Sequence, residues 1–152
     1  MFPKISGSNL EGEELQIPSD LHGKYNILAL AYRRNQQDHV DQWSSFIGEL
    51  LLEYSDLDFY EVPTLAKGYS LMSFIIDGGM RAGIPSKNIR KHTITLYTNK
   101  RKLNKQLKVK SENNIQLFLI DREGKILWRE KGKITDKKKN SLESKIKKLF
   151  NK

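Results

Sequence analysis

The sequence predicts an α/β fold in which a mixed central β-sheet lies between layers of helices. Three observations predict it. Residues 25–32, YNILALAY, are almost wholly apolar, as in a strand covered on both faces. A stretch with apolar residues at helical spacing follows, and then a second apolar run, LDFYEV; this β-α-β order implies a parallel strand pair. Near the other end, IQLFLID, the turn DREG and the segment KILWR make a hairpin, which adds antiparallel strands.

The elements follow in order. Residues 7–23, GSNLEGEELQIPSDLHG, read as a short N-terminal hairpin and a surface loop ending at Gly23. Tyr25–Tyr32 is the first central strand. Asn35 is the expected N-cap of the next helix, and Asp38 suits its positive dipole end. Val40, Trp43, Ile47, Leu50 and Tyr54 carry that helix to about Tyr54, with Trp43, Phe46 and Tyr54 facing the core.

Leu57–Val62 is the second strand, closed by Pro63. Ser70 caps an expected second helix with Leu71, Phe74, Ile75 and Met80, stopped by Gly83 and Pro85. Gly78 and Gly79 within it mark a kink, a close approach or simple termination. His92–Tyr97 is a third strand, Lys100–Leu107 a short basic helix, and Ile115–Asp121 a fourth strand. In the closing hairpin Ile126 and Trp128 are expected to point the same way. The C-terminal helix, about 136–150, sets Leu142, Ile146, Leu149 and Phe150 on one stripe and lysines on the other. One domain spanning 1–152 is expected at this length.

The chain contains no cysteine, which excludes disulfides, thiolate metal sites and thiol redox chemistry. No run approaches a membrane span, and no basic region followed by an apolar one marks a signal peptide, so a cytoplasmic protein is expected. The net charge of +9 is uneven. Residues 1–99 carry 9 basic and 12 acidic groups, whereas 100–110 carry 6 basic groups and no acid, and 131–152 carry 9 lysines against 2 acids. Such segments attract nucleic acid, anionic membrane or acidic partners, or serve only as a solubilising face. The choice turns on whether they converge. They lack interleaved aromatics apart from Phe150, which gives bases little to stack on.

The strand-to-helix turn, YRRNQQ, holds the most distinctive side chains. Arg33 and Arg34 beside Gln36 and Gln37 could form an anion or carboxylate pocket at a helix N-terminus. Alternatively one arginine pairs with Asp38 or Asp41 while the amides cap the helix. His22, His39 and His92 are scattered, and the H-x-D pattern at His39 and Asp41 does not amount to a metal site. No cofactor, metal or nucleophile motif is identified, and Trp128 is left open between core and surface.

Three stretches carry a resemblance to the thioredoxin-like superfamily, in its redoxin and peroxiredoxin-like branch: FPKISGSNLEGEELQIP, DLHGKYNILALAY and NIQLFLIDREGKILWREKG. The resemblance implies a three-layer thioredoxin-like fold with an N-terminal hairpin. That family places its reactive cysteine at the strand-to-helix turn, here Arg33–Gln37, and a cis-proline before the hairpin strand, where this chain has Ile115. Both partners of the redox site are missing. DLHGKYNILALAYRRNQQDHVDQW, with HTITLY, is also similar to the assembly-factor family of the mitochondrial ATP synthase, a thioredoxin-like group of chaperones that bind a partner protein.

Together these readings imply a redox-inactive protein that acts by binding a protein partner. The expected contacts are Tyr32, Arg33, Arg34, Gln36, Gln37 and the surface beside Ile115. The other readings are a cysteine-independent enzyme or anion-binding module using the 33–37 turn, and an electrostatic binder of nucleic acid or membrane through 100–110 and 131–152.

Overall fold

A computed structural model describes residues 1–66 and 87–151, with only the backbone of Lys87. The expected second helix, with Ser70, Gly78, Gly79 and its stop signals, lies outside the described residues. The strands are β1 (Ile5–Asn9), β2 (Glu14–Ile17), β3 (Tyr25–Ala31), β4 (Leu57–Ala66), β5 (Ile94–Thr98), β6 (Gln116–Asp121) and β7 (Ile126–Lys131). The described helices are α1 (Gln37–Glu53), α2 (Lys87–Lys91), α3 (Lys100–Gln106) and α4 (Asp136–Phe150).

The strands form one mixed sheet in the order β2-β1-β5-β4-β3-β6-β7. β3 and β4 are parallel, as the β-α-β pattern requires, and β6 and β7 are antiparallel to their neighbours. The N-terminal hairpin joins the sheet itself through β1 and β5. Gly7 permits that approach, because a Cβ there would lie 2.7 Å from the Thr95 carbonyl oxygen.

Alternation along the strands divides the core in two. Ile27, Ala29, Leu57, Phe59, Leu117 and Leu119 face α1 and α4, packing on Trp43, Ile47, Leu142 and Ile146. Leu28, Leu30, Tyr60, Val62, Phe118 and Ile120 face the other way, onto Leu103 and Leu107 of the α3 segment and onto Phe2 and Ile17. The two basic segments follow their helices: 100–110 lies on one side of the sheet and α4 on the other. The two helices do not form one basic face, although Lys131, at the end of β7, lines a cleft with Lys108 and Lys110.

Two expectations about strands are corrected. Pro63 does not end β4, which runs to Ala66. It sits where the β4–β5 ladder is interrupted: Glu61 bridges Thr93, and continuous pairing resumes only at Thr64 opposite Leu96. A residue with no N–H is tolerated there. Ile126 and Trp128 do not share a face either. Leu119 pairs with Trp128 and Ile120 with Ile126, so Leu127 is an extra residue that breaks the alternation. Ile126 packs on the α3 side, and Trp128 packs against Trp43 at 6.2 Å on the α1 side.

Candidate functional site

β3 ends at Ala31, and Tyr32 continues its alternation into the α3-side core, where it is buried. Its hydroxyl has no hydrogen-bond partner among the described residues. Burial, and then the charge of Glu112, push its pKa far above the ordinary phenol value. The chain leaves the sheet extended at Arg33 and winds through one 3-10 turn, Arg34–Gln36, into α1.

Gln36 holds this turn in place. Its Oε1 accepts from the backbone N–H of Tyr32 at 2.8 Å and of Arg33 at 3.3 Å, and its Nε2 donates to the Glu112 carbonyl at 2.7 Å. One buried amide thereby satisfies three backbone groups where a strand stops and a helix has not yet begun. The expected N-cap, Asn35, is instead an exposed residue inside the 3-10 turn. The side chain of Gln36 is one methylene longer and reaches both back to the strand and across to Glu112.

Arg33, Arg34 and Asn35 are exposed around this anchored base. Arg33 Nη1 donates to Asn113 Oδ1 at 2.9 Å, so it takes a neutral partner rather than Asp38 or Asp41. Lys100, at the start of α3, pairs with Glu112 at 2.9 Å, and the other Glu112 oxygen accepts from Asn104 Nδ2 at 2.8 Å. Strand end, turn and loop 112–113 are thus one hydrogen-bonded unit. A cleft of about 440 Å3 opens beside it, lined by Arg33, Arg34 and Lys100 together with Tyr32, Leu65 and Ala66. Two arginines beside the Lys100–Glu112 pair, on a concave and partly apolar surface, favour a carboxylate-bearing ligand.

The six residues picked out from the sequence therefore separate. Arg33 and Arg34 present charge outward. Tyr32 and Gln36 are buried and act from beneath. Gln37 is half-buried, with Nε2 donating to Asp41 Oδ1 at 2.8 Å and to Glu61 Oε1 at 3.3 Å. Ile115 is corrected as a contact: its side chain is fully buried in the α1-side core, between strand and helix, and offers no surface. Lys100 belongs to the site but was not picked out, because it lies 66 residues from Arg34 in the sequence. Its only sequence signal is membership of the basic run.

Glu61 was also not picked out. Burial, and next the charge of Asp41, raise its carboxyl pKa to about 7, against hydrogen bonds from Gln37 and Thr93 that lower it. The folded state therefore holds a proton that the unfolded chain has lost, so stability falls as pH rises from about 4.5 to about 7. Glu61→Gln is expected to remove that part of the slope in urea titrations across this range. An unchanged slope would show that Glu61 is ionised in the fold.

At the opposite end of the parallel strands, two of the histidines do meet. His92 Nε2 lies 2.9 Å from Asp58 Oδ2, and His22 Nδ1 lies 3.4 Å from the same oxygen. His92 Nδ1 faces the Asn88 carbonyl at 2.8 Å, and its ring stacks on Tyr60 at 4.8 Å. With acceptors at both nitrogens the imidazolium is favoured, and the Asp58 hydrogen bond, its largest cause, raises the His92 pKa. Burial would raise the Asp58 pKa, but hydrogen bonds from His92 and the Phe59 amide bring it below the ordinary value. Among the described residues no group of three or more His, Cys, Asp or Glu is placed to hold a metal ion, and no helix is long and apolar enough to cross a membrane.

The family profile described as ATP10 protein matches residues 1–149. No curated protein matches the chain in sequence. Solved structures resemble it in fold. A thiol-disulfide oxidoreductase from Bacteroides fragilis NCTC 9343 is 16% identical, with a TM-score of 0.61, covering 97% of this chain and 98% of that one. The pneumococcal exposed lipoprotein thioredoxin from Streptococcus pneumoniae strain TIGR4 is 18% identical, with a TM-score of 0.58 and coverages of 95% and 99%. The thioredoxin domain of a thiol-disulfide oxidoreductase from Bacteroides vulgatus is 16% identical, with a TM-score of 0.60 and coverages of 94% and 93%. The fold is thioredoxin-like; the cysteines of a thiol-disulfide enzyme are absent from the sequence.

Proposed function

The chain belongs to the ATP10 protein family, and we propose that it acts by binding a protein partner, as a chaperone or assembly factor of the ATP synthase. The observation that supports this reading most is the turn at Arg33–Gln37. It sits between the first central strand and its helix, carries no thiol, and projects two arginines from a base fixed by Gln36. A turn anchored this firmly presents its cations with little conformational cost on binding. Charge complementarity at such a surface governs which partner is accepted and how fast it arrives.

The reading is tested by removing the protein from its cell and measuring assembled ATP synthase on native gels. The expected result is a loss of assembled enzyme while its subunits are still made, restored by the wild-type chain. A full complement of assembled enzyme in the depleted cell would contradict it.

A further inference from the structure

We propose that the partner segment bound here is acidic and extended, and that it lies along both flanks of the loop 108–113. This rests on the reading that the chain binds a protein. The loop joins two clefts: its Asn113 and Glu112 bond to Arg33 and Lys100, which line one, and its Lys108 and Lys110 line the other. On one flank is the turn cleft, with Arg33, Arg34 and Lys100. On the other is a cleft of about 380 Å3 between the loop and β7, lined by Lys108, Lys110, Arg129 and Lys131.

Among the described residues the strip is net positive: Arg33 and Arg34 stand beside the Lys100–Glu112 pair on one flank, and Lys108, Lys110, Arg129 and Lys131 outnumber Glu130 on the other. Glu112 is held by Lys100 and Asn104. The Glu130 carboxylate accepts from the backbone N–H of Lys131 at 2.9 Å. Arg129 is partly occupied, donating to the Leu107 carbonyl at 2.8 Å and lying 4.9 Å over the Phe118 ring, so it braces the cleft wall. Lys108, Lys110 and Lys131 are exposed. The loop between the clefts is pinned by Arg33 to Asn113 and by Gln36 to Glu112, so both flanks keep a fixed relation to each other.

A polypeptide suits this strip better than a nucleic acid. Among the described residues the only aromatic ring lining either cleft belongs to Tyr32, which is 4% exposed and cannot stack on a base. The strip also offers aliphatic surface at Ala66 and Val109, suited to side chains between carboxylates. β7 is the last strand of the sheet, and its far end is closed to backbone pairing because Lys138 Nζ donates to the Lys131 carbonyl at 2.7 Å. Recognition there runs through the lysine side chains.

The test uses the full chain and a fluorescein-labelled 14-residue peptide alternating Glu with Ala, Val or Ser, with a Gln-for-Glu peptide as control. The Glu peptide is expected to bind, with affinity falling steeply with salt. Lys108→Gln, Lys110→Gln and Lys131→Gln together are expected to weaken it at least tenfold, and so is the pair Arg33→Gln and Arg34→Gln. A charge-matched control, Lys137→Gln, Lys147→Gln and Lys148→Gln on exposed positions of α4, is expected to leave it unchanged. Equal losses in the control, no binding of the Glu peptide, or tighter binding of a single-stranded oligonucleotide that depends on the same lysines would each overturn the proposal. None of those outcomes alters the assembly phenotype of the depleted cell, so the two readings fail separately.

Discussion

Trp43→Ala is expected to destabilise the fold by about 3–5 kcal/mol, the range for removing a large buried aromatic side chain. Trp43 is fully buried on the inner stripe of α1. Its ring meets Phe46 at 6.4 Å and Trp128 at 6.2 Å edge to face, and its Nε1 donates to the Gly132 carbonyl at 2.9 Å. That bond crosses from α1 to the residue after β7, so a single side chain closes the α1-side core onto the edge of the sheet. Thermal unfolding should drop by roughly 6–20 °C for a chain of this size. Trp43→Phe keeps most of the burial but leaves the Gly132 carbonyl without its donor, at a smaller cost of about 1–3 kcal/mol. A melting temperature within about 2 °C of wild type for the alanine variant would mean that the α1 side carries far less of the stability than its burial implies.

Gln36→Ala is expected to cost about 2–4 kcal/mol, because it leaves the Tyr32 and Arg33 amides and the Glu112 carbonyl without partners near the core. The effect should be local as well as global. Amide hydrogen exchange at Tyr32 and Arg33 should rise together with exchange in the loop at 112–113, since one side chain joins them. Gln36→Glu keeps an acceptor for the two amides but loses the donor to Glu112 and buries a charge, so it should be no better than alanine at neutral pH. Protection at Tyr32 that survives Gln36→Ala would show that the turn is held by something other than this amide. The variant also bears on binding, since Gln36 orients the arginines without touching a partner.

Much of this architecture is legible in the chain. YNILALAY announces a strand buried on both faces, and its alternation already separates Ile27 and Ala29 from Leu28 and Leu30. The stripes of α1 and α4 are equally plain. What the sequence hides is pairing across distance. The partner of Gln36 lies 76 residues away, so the amide reads as a helix-start residue and not as the clasp of a loop. Asp58 and His92 are 34 residues apart and meet only because β4 and the segment before β5 run side by side. The extra residue at Leu127 is invisible to a period-two reading, which is why Ile126 and Trp128 were expected on one face. Ile115 fails as a surface residue for a related reason: position in a resemblance says where the backbone runs, not whether a side chain reaches solvent.

The same reasoning sharpens the view of the basic C-terminal third. Composition alone treats 100–110 and 131–152 as one reservoir of charge. The sheet separates the two helices: Lys100 joins the arginines of the turn, Lys131 joins Lys108 and Lys110, and α4 stands apart. Long-range attraction can use all of these lysines, but short-range recognition draws only on those beside loop 108–113.

The central claim is that Arg33 and Arg34 are contact residues for a protein partner. The measurement that tests it most directly is quantitative capture from native extract, by cross-linking and pull-down, of wild type beside the variant Arg33→Ala with Arg34→Ala. Both arginines are exposed, so the variant should melt within about 2 °C of wild type. The account predicts that wild type captures an ATP synthase subunit or assembly intermediate and that the folded double variant captures none. Equal capture of the same partner by the double variant would contradict it.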